Sequence, residues 1–331
     1  MYPGLPLSGA LPYFLPAIMS VSPIWRAKLE LALAKLGLFI IPALPRCGVL
    51  LLARALAAGA WLVARRERSV GLANLDVAFG GTKTAAEKRA ILRESFRTFA
   101  LMMLDIFWFS KDIERRVARW VEQEASMEPL WQPRATVGIT AHLGNWELLG
   151  QTVAMRGYPL ASVVAPLANP TVDELFRRVR GTSGQDVIPQ QGAVRQLLRA
   201  LRAGGKIAIL LDQNTLPGEG GVFVPFFGLP VPVSAAGALL GLKTGALFFF
   251  GFCLAQPDGH YRCISTGSFT PPADDSSAAL EQLTRRIAAE LEQVVRAHPG
   301  QWLWSYKRWK YIAPGTEPAR YPFYAKPLPE N

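Results

Sequence analysis

The pattern of hydrophobic and polar residues changes near residue 135. From there, short apolar runs rich in β-branched residues alternate with stretches of helical period. The apolar runs are ATVGITA, ASVVAPL, DVIP, KIAILLDQ, LFFFGFCLA and YRCISTG, and the helical stretches are WELLGQTVAMRG, TVDELFRRVRG, AVRQLLRALRAG and residues 277–297. Such alternation predicts βαβ units, and therefore an α/β fold with a mixed, largely parallel sheet flanked by helices.

The chain before residue 135 has a helical and strongly apolar pattern. Residues 84–110 carry a broad apolar stripe, which is typical of a helix packed against a core. Residues 36–63 form an apolar run that Pro42 and Pro45 divide in two. Neither piece supplies the roughly 20 apolar residues that a membrane-spanning helix needs.

The second piece of this run, residues 49–63, has Arg54 in its middle. On a continuous helix Arg54, Arg65 and Arg68 would share one edge, and apolar side chains would cover the rest. This pattern predicts a helix lying in the membrane interface with its arginines near lipid phosphates. The alternative is a core helix with one exposed edge, and Arg54 disfavours a true span. We therefore expect a membrane-associating segment over residues 1–69, an α/β domain over 70–315 and a tail over 316–331.

Charge and composition narrow the class of partner. The 331 residues carry a net charge of +11, while charged residues make up 18% and hydrophobic residues 50% of the chain. A basic, apolar chain suits an acidic protein or a membrane with anionic lipids. Nucleic acid is not expected as a partner, because no nucleic-acid-binding motif occurs. The three cysteines, Cys47, Cys253 and Cys263, lack metal-ligand spacing, and we predict neither a metal nor an organic cofactor.

His142 is one of only three histidines, and it follows the first apolar run at the sheet edge where α/β proteins bind ligands. Asn145 can cap the next helix, which places Glu147 in its first turn. Gly144 gives the turn the freedom to bring His142 and Glu147 together. An imidazole oriented by a carboxylate is a general base, and no serine or cysteine occupies a nucleophile elbow. The pair predicts direct transfer to a substrate hydroxyl, with a core histidine and a helix-start glutamate as the alternative.

The segment HLGNWE, residues 142–147, resembles the H-x4-[DE] signature of glycerolipid acyltransferases, in the version found in lipid A biosynthesis lauroyl and myristoyl acyltransferases. Residues 43–79 and the segments PLANPTVDELFRRVRGTSG, KIAILLDQN, GGVFVPFFG and QWLWSYKRWK resemble other blocks of that family, in order. The resemblance implies a glycerolipid-acyltransferase-like fold with an apolar, membrane-associating amino-terminal region. It also implies transfer of a fatty acyl group from acyl carrier protein to a hydroxyl of a lipid A precursor, at the cytoplasmic face of a bacterial inner membrane. His142 and Glu147 would be the catalytic pair.

Other residues of these blocks are candidates for substrate binding. Asp212 ends a strand and can share the crevice with His142. The run containing Phe223 and Phe226 can wall an acyl-chain groove or form a buried hairpin, and Gly221 can let backbone approach the substrate. Arg177, Arg178 and Arg180 can bind lipid phosphates or acidic acyl carrier protein, or can form a solvated helix face. The expected substrate contacts are Asn145, Asn169, Arg177, Arg180, Asp212, Gly221, Phe223, Phe226 and Arg308, the last within a YKRWK segment that suits a membrane interface.

The chain departs from the family pattern at three places. Ala165 stands where an arginine is usual, Asn214 where a second aspartate is common, and Tyr306-Lys307 where His-Arg is frequent. These changes leave open another glycolipid or a lysophospholipid as the acceptor. The alternatives from other classes are a thioesterase-like hydrolase, in which His142 activates water, and a non-catalytic lipid-binding protein.

Overall fold

The computed structural model describes residues 23–164, 168–181, 183–189 and 192–329. Residues 1–22 of the predicted amino-terminal segment, and Ala165, lie outside the described residues. The helices are α1 (Pro23–Ile40), α2 (Arg46–Val63), α3 (Arg65–Phe79), α4 (Ala85–Trp108), α5 (Ile113–Trp120), α6 (Trp146–Met155), α7 (Pro170–Gly181), α8 (Ala193–Arg202), α9 (Ala236–Thr244) and α10 (Ser277–Ala297). The strands are β1 (Val121–Gln123), β2 (Thr136–Thr140), β3 (Leu160–Val164), β4 (Asp186–Pro189), β5 (Lys206–Leu210), β6 (Gly221–Phe226), β7 (Leu229–Ser234), β8 (Leu247–Ala255) and β9 (Tyr261–Phe269).

The central sheet has the strand order β1-β9-β8-β2-β5-β3-β4. Within the described ranges its neighbouring strands run parallel, except for the antiparallel pair β8 and β9. The predicted mixed, largely parallel sheet flanked by helices is confirmed. The short edge strand β1 adds to the strands expected from the sequence, because a three-residue strand carries no periodic signal.

Helices cover both faces of this sheet. Helix α6 packs against β3 and β8 in a cluster that contains Leu149 and Phe249, while Phe248 and Phe250 point to the opposite cluster with α8, α9 and α10. The alternation along β8 explains why that strand is apolar throughout, since both of its faces are buried. Strands β6 and β7 form a separate antiparallel hairpin that packs against α10.

The amino-terminal helices differ from the expectation in one respect. Ala64 has φ −82° and ψ 61°, so the chain leaves the helical conformation there and α3 begins in a new direction. The predicted common edge of Arg54, Arg65 and Arg68 is therefore wrong, because the last two belong to α3. The guanidinium of Arg68 instead lies over the Trp61 ring, 5.4 Å from its centroid, and donates to the carbonyl of Leu62. The proposed boundary after residue 69 falls inside α3 and stays a prediction.

Large apolar side chains are exposed on the first two helices. On α1 they include Phe39, which is 82% exposed, and on α2 they include Leu62, at 71%. Among the described residues α2 alone is long and apolar enough to cross a membrane, by length and composition. Yet α2 packs along α4, and Arg46 in its first turn is buried against Asp105. Exposed apolar patches of this kind mark interaction surfaces, and here they surround the amino-terminal edge of the domain.

Candidate active site

The carboxyl ends of β2 and β5 bring His142 and Asp212 together. The two strands are parallel neighbours, and Thr140 at the end of one is in register with Leu210 at the end of the other. His142 and Asp212 each lie two residues further along, so their side chains meet at the same edge of the sheet. The His142 Nδ1 lies 2.8 Å from Asp212 Oδ1, so the two side chains are neighbours as expected, and the substrate contact of Asp212 stays a prediction.

Asp212 is a buried carboxylate with several hydrogen bonds. Its Oδ2 accepts from the backbone N–H of His142 and from the Trp302 indole, each at 2.8 Å. Burial by itself would raise the pKa of Asp212, but the attraction of the His142 ring and these hydrogen bonds outweigh it and hold the pKa below its ordinary value. An ionised carboxylate only accepts hydrogen bonds, so His142 carries its proton on Nδ1. Nε2 then carries the lone pair of the ring, which accepts a hydrogen bond from the Gln213 amide at 3.3 Å.

The loop between β2 and α6 is held by backbone contacts. Gly144 has φ +64°, and a Cβ there would lie 2.1 Å from the carbonyl oxygen of Cys253, so only glycine fits without a shift. Asn145 donates its backbone N–H to that same carbonyl, and its side chain caps α6 by accepting from Leu148 N at 2.9 Å. The predicted N-cap is confirmed. Because Asn145 is buried and its side chain oxygen is used in the cap, the expectation that it binds substrate is corrected to a structural role.

Glu147 binds Arg180 rather than His142. Its two oxygens accept from Arg180 Nε and Nη2 at 2.7 and 2.8 Å, in a bidentate pair that is largely buried. The expectation that Glu147 orients the imidazole is therefore corrected, since Asp212 makes that hydrogen bond. Burial by itself would raise the pKa of Glu147. The attraction of Arg180 and, to a smaller degree, of His142 outweighs burial, so the pKa lies below its ordinary value. Glu147 thus acts on His142 through its charge and not through a hydrogen bond.

The same ion pair corrects the expected role of Arg180. Burial lowers the pKa of Arg180, but Glu147 outweighs it and the pKa lies above its ordinary value. With its guanidinium facing Glu147 inside the protein, Arg180 is not part of an exposed basic face. Arg177 and Arg178 are more exposed, and each binds a carboxylate one turn earlier, Asp173 at 2.9 Å and Glu174 at 3.0 Å.

Breaking the Glu147–Arg180 pair from one side should be costly. We expect Glu147→Gln to lower the free energy of unfolding by about 3–5 kcal/mol, because Arg180 would remain buried without its counter-charge. The double variant Glu147→Gln/Arg180→Met should regain most of that loss, since neither residue is then charged. Chemical denaturation of the full chain measures both. Equal stability of the single variant and the parent would show that the pair contributes little.

Acid should act on the same pair with a defined sign. Because the pKa of Glu147 is lowered in the folded state, its contribution is complete above the ordinary carboxyl range and disappears as the pH falls through the lowered folded value. The parent should therefore lose stability more steeply than the Glu147→Gln/Arg180→Met variant over this acidic window.

Asn169 joins α7 to α1. Its Nδ2 donates to the carbonyl of Ala27 at 2.9 Å and to Glu30 Oε2 at 3.1 Å, while its Oδ1 accepts from the first backbone N–H groups of α7. The expected substrate contact of Asn169 is corrected to a structural one, because both ends of its amide are used within the protein. It ties α1 to the start of α7.

The carboxy-terminal block is buried. Arg308 and Trp309 are each at most 1% exposed, so the expectation that YKRWK lies at a membrane interface is wrong for them. Arg308 donates to Asn214 Oδ1 at 3.1 Å and lies over the Phe226 ring. Burial lowers the pKa of Arg308 to about 10. Two of the positions at which the chain departs from the family pattern are also in contact here. The backbone N–H of Asn214 donates to the Tyr306 hydroxyl at 2.9 Å.

The hairpin residues are mainly structural. Phe226 is 1% exposed and packs against Trp302 and Trp309, so it is a core residue, whereas Phe223 is half-buried. A Cβ on Gly221 would lie 1.9 Å from the carbonyl oxygen of Thr215. The close backbone approach expected at Gly221 therefore exists, but it is to the protein's own chain and not to a substrate.

An apolar cavity of about 70 Å³ begins beside Glu147 and continues between α6 and the sheet. Glycines at three positions, Gly138, Gly150 and Gly251, leave space in its walls. Two buried oxygens that line it, Thr140 Oγ1 and Gln185 Oε1, have no hydrogen-bond partner within the described part of the chain. Sequence reasoning missed this space and Gln213, because neither follows from a periodic pattern. Across the described ranges no cluster of three His, Cys, Asp or Glu side chains is placed to hold a metal.

Comparison with known proteins gives the family of the chain. The sequence model of a family described as bacterial lipid A biosynthesis acyltransferase matches residues 26–311. The chain is similar to a phosphatidylinositol mannoside acyltransferase of Mycobacterium tuberculosis, with 23% identity over 237 residues that cover 69% of this chain and 73% of that protein. It is also similar to a lipid A biosynthesis acyltransferase 2 of Shigella flexneri, with 22% identity over 257 residues that cover 75% and 80%.

The chain also aligns with a solved structure, that of the 1-acyl-sn-glycerophosphate acyltransferase PlsC from Thermotoga maritima. Its crystal structure aligns with 78% of this chain and 99% of its own, at a TM-score of 0.35 and 13% sequence identity.

Proposed function

The chain belongs to the bacterial lipid A biosynthesis acyltransferase family, and from this premise we propose that it transfers a fatty acyl group from an acyl thioester to a hydroxyl of a lipid A precursor or a related glycolipid. The observation that carries the proposal is the His142–Asp212 pair at the carboxyl edge of the sheet, in which Nε2 of the imidazole carries the lone pair that takes the proton once the acceptor hydroxyl replaces Gln213. No metal or organic cofactor takes part in this reaction.

The proposed reaction uses this pair as base and then as acid. Nε2 of His142 removes the proton from the acceptor hydroxyl, while Asp212 stabilises the imidazolium that forms. The acceptor oxygen attacks the thioester carbonyl, the new C–O bond forms, and the C–S bond breaks. His142 then returns its proton to the departing thiolate, which leaves as the thiol. Glu147 lowers the energy of the imidazolium through its negative charge, although its net effect is reduced by Arg180.

Acyl carrier protein is the proposed donor. Its acidic surface suits a chain with a net charge of +11. Arg177 and Arg178 are the exposed arginines left from the expected docking set, but each is already paired with a carboxylate of its own helix. Charge reversal at both should therefore slow association with the carrier protein and change its salt dependence, with a smaller effect than two unpaired arginines would have.

The proposed identity of the acyl acceptor is based on the names of the relatives and on the residues of the site. Lipid A biosynthesis acyltransferases favour a lipid A precursor, whereas the Mycobacterium tuberculosis relative is named for a phosphatidylinositol mannoside. The latter is the specific observation that favours a second glycolipid acceptor, and the departures at Asn214 and Tyr306 agree with it. A lysophospholipid acceptor remains the other member of this class.

The exposed apolar faces of α1 and α2 support association with the bacterial inner membrane, at its cytoplasmic face where acyl carrier protein occurs. Helix α1 contacts α7 and α4 through Ala34, Val172 and Phe107, so it lies against the elements around the site. A lipid acceptor could then reach His142 without leaving the membrane surface.

Product analysis tests the proposal directly. The full chain is incubated with acyl-acyl carrier protein and each candidate lipid, and the products are identified by mass spectrometry. A new ester supports transfer and names the acceptor. Free fatty acid alone would indicate a thioesterase, and unchanged substrates with bound lipid would indicate a binding protein.

The cavity beside Glu147 is the proposed site of the acyl chain, because it is apolar and its lining includes Thr140 and Trp146, which flank the loop that carries His142. We expect Gly150→Ala to lower kcat/KM for the longest acyl donors by about tenfold relative to short donors, since one methyl group would shorten the space. The added Cβ would meet the flexible Gln185 side chain at 2.9 Å, so the fold should tolerate it. Gly59→Ala on α2, where nothing lies within 4 Å, is the matched control. An unchanged chain-length profile would place the acyl chain elsewhere.

A further inference from the structure

A second cavity, of about 390 Å³, lies between the start of α2, the end of α4 and helix α5. Four arginines and two tryptophans line it: Arg46, Arg115, Arg116, Arg119, Trp108 and Trp120. The two indole rings meet edge to face at 6.0 Å, and the guanidinium of Arg116 lies 4.1 Å above the ring of Trp108. The cavity thus has aromatic walls and a lining that is positively charged.

The arginines of this cavity are not equally satisfied. Arg46 is saturated, because it forms a bidentate pair with Asp105 and donates to the carbonyl of Gly259. Arg116 donates to the carbonyls of Trp108 and Pro42, which hold no net charge. Its pKa lies below the ordinary value, chiefly because burial disfavours the cation, while repulsion from Arg115 and Arg46 opposes the attraction of Asp112.

Arg115 and Arg119 have donors to spare. Arg115 is 82% exposed in its side chain and lies 3.7 Å from Asp112. Over the described ranges, Arg119 has no ion pair or hydrogen bond and only lies 5.5 Å from the Trp120 ring centroid. Asp105 neutralises Arg46. The positive charges of Arg115, Arg116 and Arg119 are therefore balanced by one carboxylate, that of Asp112. An anion in the cavity would relieve this repulsion and would accept hydrogen bonds from the free guanidinium groups.

The position of the cavity indicates where such an anion comes from. Arg46 binds the turn that follows β8, and β8 is parallel to β2, so the cavity lies at the same edge of the sheet as His142. Arg116 and Trp108 also bind the turn between α1 and α2, at Pro42 and Leu44. The residues just before that turn, 39 and 40, are the exposed apolar end of α1. An apolar surface beside an arginine cluster is the pattern of a membrane interface.

We propose that this cavity binds the phosphate of an anionic membrane lipid, distinct from the acyl acceptor at His142. Arg115 and Arg119 bind the phosphate oxygens, while Trp108 and Trp120 form the aromatic wall of the cavity. The bound lipid orients the domain so that the carboxyl edge of the sheet faces the membrane. This role goes beyond acyl transfer and does not depend on which acceptor is used.

Vesicle binding tests the site. The full chain is titrated with vesicles of phosphatidylcholine alone and of phosphatidylcholine containing phosphatidylglycerol. We expect the parent to prefer the anionic vesicles and Arg115→Gln/Arg119→Gln to lose about 30-fold in affinity for them, from the free energy that a basic residue contributes at an anionic surface. Binding to phosphatidylcholine should be unchanged, and so should the melting temperature, because both side chains are exposed. Arg115→Lys/Arg119→Lys should retain part of the affinity, since lysine keeps the charge but not the bidentate geometry.

The matched control is Arg195→Gln/Arg199→Gln. These exposed arginines of α8 have the same one-turn spacing but do not line the cavity. Equal losses of affinity for anionic vesicles in the two double variants would show an effect of overall charge and would overturn the site. No loss of affinity in either variant would overturn it as well. Soluble glycerol phosphate that binds the cavity without any vesicle preference would assign it to a free phosphate. Loss of acyl carrier protein binding with vesicle binding intact would assign it to an acidic protein.

Acyl transfer to a detergent-dispersed acceptor provides the separate readout. The Arg115→Gln/Arg119→Gln variant should keep the parent rate in detergent and lose rate only on vesicles. A failure of the proposed transfer reaction would show in the parent itself, so the two proposals fail in different measurements.

Discussion

Replacing His142 by alanine should lower the rate of acyl transfer by about 10²- to 10⁴-fold, the range that general base catalysis contributes. The imidazole is bound to Asp212 through Nδ1, so its Nε2, which faces the Gln213 amide, is the atom proposed to take the proton. The measurement is single-turnover transfer with acyl carrier protein thioester, made beside a thermal unfolding curve.

The His142→Ala protein should remain folded. Asp212 keeps its hydrogen bonds from the backbone N–H of His142 and from Trp302, and the His142 side chain is 14% exposed. His298→Ala, at the end of α10, is the control for removal of an imidazole elsewhere. A folded His142→Ala protein that transfers at close to the parent rate would end the general-base assignment.

Replacing Asp212 by asparagine should lower the rate by about 10⁴-fold, as in hydrolases in which the orienting carboxylate is changed to an amide. An asparagine can present its NH₂ group to Nδ1, which favours the tautomer with the proton on Nε2. That tautomer cannot accept a proton from the acceptor hydroxyl. The loss should appear in kcat more than in KM, because no substrate contact is removed.

Comparison with Glu147→Gln separates the two carboxylates. Asp212→Asn should abolish most transfer with a modest change in stability, whereas Glu147→Gln should first lower stability through Arg180. The double variant His142→Ala/Asp212→Asn should be scarcely slower than either single variant, since the two residues act as a unit. The opposite result would be a parent rate of acyl transfer for Asp212→Asn and an inactive Glu147→Gln protein with the stability of the parent. That result would restore Glu147 as the orienting group.

The alternation of apolar runs and helical stretches after residue 135 was sufficient to predict the sheet, and His142 and Asp212 could be placed at one edge of it. This succeeds because the carboxyl ends of parallel strands lie together whatever the details of their loops. The cap at Asn145 was also readable, since it depends on a contact between residues three positions apart. Such features depend on local periodicity and local hydrogen bonds, which the order of residues determines.

The partner of the imidazole was decided by tertiary structure. Glu147 and Asp212 are both near His142, and the sequence favoured the one closer along the chain. Arg180, from a helix that follows another strand, binds Glu147 and leaves Asp212 to orient the ring. Burial of Arg308 has the same origin, because packing between distant segments sets which polar groups are buried. The arginine cavity likewise exists only where α2, α4 and α5 meet, since its residues come from three helices that no local pattern brings together.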